Sequence, residues 1–82
     1  MNNSEETYIK SINRTVVLGK TKIKGLHPYT FKCGEWATIT NILETTPLGL
    51  PKRHTFTVVY DDGTFDSIPL SDVAKGMYEV EV

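Results

Sequence analysis

The sequence predicts an all-β domain, a small barrel of five or six short antiparallel strands. Three observations carry this. Residues 55–68 form two β-rich runs around Asp61-Asp62-Gly63, a hairpin in which Gly63 supplies the positive φ of a tight turn and Asp62 tolerates it. Residues 77–82 alternate cleanly, with Met77, Glu79 and Glu81 on one side and Tyr78, Val80 and Val82 on the other. After Gly34, Trp36, Thr38, Thr40 and Ile42 point one way and Glu35, Ala37, Ile39 and Asn41 the other, with neither side purely apolar. Such mixing suits a curled barrel strand whose segments reach the core in turn.

Eighty-two residues make one domain, at a size where a chain buries only about 60% of its unfolded surface. That leaves no room for a deep catalytic cleft beside the core. Hydrophobic residues at 39% and charged residues at 23% place the chain in the globular range. The net charge of −1 hides an asymmetry: residues 7–32 hold six basic side chains and no acid, residues 33–82 eight acids and three bases. Cys33 is the sole cysteine, which excludes an internal disulfide and points to a reducing, cytoplasmic setting. No apolar run approaches the roughly 20 residues that span a bilayer, and Met-Asn-Asn-Ser-Glu-Glu lacks the marks of a signal peptide.

In chain order, residues 1–6 are polar and are expected to be a flexible tail ahead of a single domain over residues 7–82. Tyr8, Ile9 and Ile12 lean to extended structure. Thr15-Val16-Val17-Leu18 is a strand ended by Gly19, and residues 21–24 follow as its partner, so residues 7–30 form an N-terminal hairpin extension turning at Gly19 and Lys20. Lys20, Lys22 and Lys24 share one face of that strand, as they would on a guarded sheet edge or a phosphate-tracking one. Pro28 makes the surrounding segment a loop. Residues 44–54 contain Pro47, Gly49 and Pro51, which predicts a long irregular loop bearing Leu48 and Leu50 beside Lys52, Arg53 and His54. Pro69-Leu70-Ser71-Asp72-Val73 reads as a short 3₁₀ turn before the last strand.

Taken together, Phe31-Lys-Cys-Gly-Glu-Trp36, the long loop, Phe56-Thr-Val-Val-Tyr60, Asp-Asp-Gly63, Phe65-Asp-Ser-Ile68 and Pro-Leu-Ser-Asp-Val73 resemble the SH3-like barrels of the Tudor type over residues 31–82. The resemblance implies a recognition domain for methylated side chains, peptides or nucleic acid, with Trp36, Tyr60 and Phe65 as candidate cage walls. The first long loop of that family usually adds an aromatic residue, and residues 44–54 contain none. In size and lack of a catalytic motif, the chain also resembles small accessory proteins of bacteriophages, which implies binding or inhibition of a host or defence component.

No catalytic or metal-ligating residues are assigned, and no cofactor. Asp61, Asp62, Asp66 and Asp72 fit turn chemistry and form no Asp-x-Asp-x-Asp-Gly loop, and His27 has no ligand at metal spacing. The expected function is therefore non-enzymatic binding of a protein partner through Trp36, Leu48, Leu50, Lys52, Arg53, Tyr60 and Phe65. The rivals are nucleic-acid binding through Arg14, Lys20, Lys22, Lys24 and Lys32, which would weaken steeply with salt, and small-ligand sequestration by an oligomer. No membrane association is expected.

Overall fold

The computed structural model describes residues 6–81. Its strands are β1 (Glu6–Ile9), β2 (Arg14–Val17), β3 (Lys22–Gly25), β4 (Trp36–Thr45), β5 (Arg53–Tyr60), β6 (Phe65–Pro69) and β7 (Tyr78–Val80), with a 3₁₀ turn at Lys10–Ile12 and a single helical turn, α1 (Leu70–Ala74). The domain is all-β and antiparallel, in two sheets: β1-β2, and a larger sheet ordered β6-β5-β4-β3-β7. The larger sheet is compatible with a small barrel but does not close, because β6 and β7 remain its two edges. Of the tail expected over residues 1–6, residues 1–5 lie outside the described residues, as does the terminal Val82, and Glu6 belongs to β1.

The N-terminal hairpin is displaced from its expected place. It is β1-β2, turned by the 3₁₀ segment and by Asn13 in the left-handed region at φ 53°. Residues 19–21 do not fold β3 back on β2. Thr21 Oγ1 accepts the Val17 N–H at 2.8 Å, while Gly19 N donates to Ile39 O at 2.8 Å and Ile39 N to Thr21 O at 2.9 Å. The corner thus hands the chain to β4, and β3 pairs with β4 and β7. An interior β3 also overturns the guarded-edge reading of Lys22 and Lys24.

The curling expected along β4 has a specific cause. The β4-β5 register slips between Ile39 and Asn41, so Thr40 is an inserted residue. Before it Ala37 and Ile39 are buried; after it the inward position passes to Ile42, opposite Phe56. The core comprises Val16, Ile23, Ala37, Ile39, Phe56, Val58, Tyr60, Ile68 and Val80, sealed at one end by Leu70 and Val73 of α1 and at another by Ile9. The predicted 3₁₀ turn before the last strand is this α1, whose Leu70 and Val73 are buried.

The Asp-Gly hairpin is present, with one residue more in its loop than a tight turn has. Tyr60 O accepts from Gly63 N at 2.9 Å and Tyr60 N donates to Thr64 O at 2.9 Å. Gly63 has φ 85°, and Asp62 is not among the positive-φ residues. This is a three-residue loop closed by a left-handed glycine, and it pairs Val59 rather than Tyr60 with Phe65.

Candidate functional site

The segment over residues 44–54 is more regular than its prolines suggest. Strand pairing continues through Glu44 with His54 and Thr45 with Arg53, leaving residues 46–52 as the loop. Beyond the reach of β3 and β6, β4 and β5 project as a two-stranded arm. At its tip Leu50 N donates to Pro47 O at 3.1 Å and Gly49 has φ 76°, a reversal that turns the leucines outward. Leu48 is fully exposed and Leu50 is 51% exposed. Lys52 pairs with Glu44 at 3.1 Å. The leucines do not fold back on the sheet, so the tip displays apolar and basic groups together.

The three aromatic residues proposed as a cage do not share a face. Trp36 pairs with Lys24, and Phe65 with Val59, on the outer face of the sheet. Tyr60 pairs with buried Ala37 on the inner face and is itself buried. The hairpin loop decides this, since one residue more or less in it would put Tyr60 and Phe65 on the same face. Tyr60 therefore drops out as a contact residue and no cage forms from these three. Trp36 instead lies under the Lys24 ammonium, 4.7 Å from the ring centre.

Comparison with protein-family models, with curated proteins and with solved structures finds no match to this chain.

A polar corner that the sequence did not disclose surrounds Lys32, which sits at φ 48°. Its Nζ lies 2.8 Å from Asp62 Oδ2 and within 6 Å of the Phe31 and Tyr60 rings. Tyr60 Oη donates to Phe31 O at 3.1 Å, and the two rings meet edge to face. Asp62 also accepts from Thr64 N at 2.9 Å and from the Thr64 hydroxyl. The bond to Lys32 and those to Thr64 hold the Asp62 carboxyl well below the usual carboxylate range, and the bond to Asp62 raises Lys32. Burial, with help from the Asp66 charge, pushes the Tyr60 phenol up to about 12, and burial raises Tyr78 as well.

The stability profile follows in sign. A phenol whose folded pKa lies above its unfolded value of about 10 contributes stability that is complete below pH ~10 and is lost as pH rises toward the folded value. Denaturation midpoints should accordingly fall between pH 10 and about 12, and Tyr60→Phe should shrink that slope, leaving the shares of Tyr78 and Lys32. Urea titrations at successive pH values check it; an unchanged slope in Tyr60→Phe would refute it.

The five basic residues of the nucleic-acid reading are partly committed elsewhere. Lys24 pairs with Glu79 at 3.8 Å and Lys32 with Asp62; Arg14 stands on β2, Lys20 in the corner that follows it, and Lys22 beside Lys24 on the outer face. Among the described residues no three of His, Cys, Asp and Glu converge as metal ligands, and no helix is long and apolar enough to cross a membrane. Cys33 is exposed. His27 Nδ1 accepts from Tyr29 N at 3.2 Å, a local turn contact.

Proposed function

We propose that the domain is a non-enzymatic binding module that takes a protein partner at the tip of the β4-β5 arm, using Leu48, Leu50, Lys52 and Arg53, with Trp36 and Phe65 available on the outer sheet face. The observation that carries this is the exposure of both leucines at the end of a projecting arm. A monomeric surface holds contiguous apolar groups at some risk of aggregation, and leucines flanked by lysine and arginine are the composition of a small interface core with a charged rim. The order of the larger sheet, with α1 between β6 and the returning β7, supports placing the domain with SH3-like barrels of the Tudor type. An accessory or anti-defence role for a phage accords with a module that acts by covering a partner's surface.

Removing an apolar anchor and inverting a charge together should weaken capture by at least about thirtyfold, the cost of one interface hot spot. Affinity capture from nuclease-treated lysate with wild-type and Leu50→Asp/Arg53→Glu protein, followed by mass spectrometry, measures it. Unchanged capture would remove the reading.

A further inference from the structure

Beyond the bulge at Thr40, β4 has a paired strand on one side only among the described residues. On the side away from β5, β3 covers only Trp36–Thr38, and Gly19 and Thr21 carry the bonding as far as Ile39. Among the described residues, residues 41–45 pair with β5 alone. Backbone groups of an antiparallel strand alternate in direction. Ile39 directs its N–H and C=O away from β5, and one inserted residue shifts the outward set to Ile42 and Glu44. The Ile42 N–H is indeed satisfied by its neighbour's side chain, Asn41 Oδ1, at 2.9 Å.

This open edge borders a groove of about 930 Å³, with β1 and the 3₁₀ turn on its other side, a volume typical of ligand sites. Ile9, Leu18, Ile42 and Leu70 supply apolar surface, Lys10 and His54 are polar members of its rim, and among the described residues no acid lines it. A second hollow shares Ser11, His54 and Leu70 with it and is lined by Lys52 and Arg53 together with one acid, Asp72. Neither Lys10 nor Arg53 makes an ion pair among the described residues.

We infer that the groove receives an extended, acidic segment of the protein partner, which adds to the open edge of β4 as a strand. This rests on the protein-binding reading and gives it a location and a chemistry. An open strand edge offers donors and acceptors at the spacing of another extended backbone, which is what strand addition uses for affinity. Apolar surface beneath takes every second side chain, and a rim whose described residues include lysine and no acid selects carboxylates. Asn41 holds the Ile42 donor until the incoming carbonyl replaces it.

The probe is a fluorescein-labelled, acetylated octapeptide of alternating glutamate and valine, compared with its lysine-valine counterpart and with a version N-methylated at alternate residues to remove donors from one edge. Anisotropy and amide NMR should show binding of the acidic peptide, with shifts and slowed exchange at Ile42 and Glu44. Binding should weaken at least tenfold on N-methylation, with lysine for glutamate, and in the Lys10→Glu/His54→Glu variant, whose two changes lie at exposed positions. Equal binding of all three peptides, shifts elsewhere, or no shift at millimolar peptide overturns the inference. So does a groove that takes decanoate but no peptide, or one filled by a second copy of the chain in sedimentation experiments. Failure of this inference is separable from failure of the tip reading. If Leu50→Asp/Arg53→Glu loses its partner while the wild-type groove ignores the peptides, only the groove is lost. If the groove takes the acidic peptide while those tip substitutions leave capture intact, only the tip is lost.

Discussion

Phe56→Ala should destabilise the domain by about 3–5 kcal/mol, the range for removing a buried aromatic side chain. Phe56 has no exposed surface and stands at the centre of the larger sheet, between Ile42 on β4 and Ile68 on β6. The cavity it would leave is walled by strands held in register on both sides, so the walls cannot collapse into it. Native domains keep only about 5–15 kcal/mol in total, and a chain of this size stands toward the low end. The variant should therefore show a greatly lowered urea midpoint and substantial unfolding near body temperature. Phe65→Ala is the matched control. The same residue type on the outer face is 69% exposed, and its loss should stay within about 0.5 kcal/mol. Equal effects at the two positions would show that the faces have been assigned wrongly.

Gly25→Ala should cost about 1–3 kcal/mol, the usual penalty of overpacking, although one methyl is all that is added. Gly25 is buried at the end of β3, and a Cβ there would stand 2.2 Å from Thr30 Oγ1 and 2.9 Å from Thr30 Cβ. Thr30 cannot swing aside freely, because it is buried and its hydroxyl donates to His27 O at 2.7 Å. Rotating the hydroxyl would still leave the Cβ contact. Gly34 N also donates to Gly25 O at 2.9 Å, so a shift at Gly25 pulls on the loop that presents Phe31 and Lys32. The double variant Gly25→Ala/Thr30→Gly should be less destabilised than the sum of its single changes, since the second removes both clashing atoms. Strict additivity in a double-mutant cycle by urea denaturation would show that the contact with Thr30 is not the cause.

The elements legible in the sequence were those made by neighbours along the chain. The strand types, the reversal at Gly63, the breaks at Gly19 and Pro69 and the helical turn that buries Leu70 and Val73 follow from local preference and the spacing of apolar residues. The exposure of Leu48 and Leu50 was open at that level. It took the extended pairing of Thr45 with Arg53 to carry the tip away from the sheet. Trp36 and Phe65 were placed among contact residues and do lie on the accessible face. Tyr60 was placed with them and lies inside, because a three-residue loop pairs Val59 with Phe65 where a two-residue loop would have paired Tyr60. Period-two alternation cannot cross a turn until the number of residues in the turn is known.

The sequence by itself determined that this chain is all-β, that it reverses at Gly63, and where most of its strands lie. Only the tertiary structure decided that β3 lies between β4 and β7 instead of against β2, that Lys32 meets Asp62, and that the far half of β4 has no second strand beside it among the described residues. The physical reason is that backbone hydrogen-bonding groups are the same at every residue, so pairing partners carry no local label. They are chosen by which arrangement buries Ile23, Ile39, Phe56 and Ile68 together, and that choice belongs to the whole chain at once.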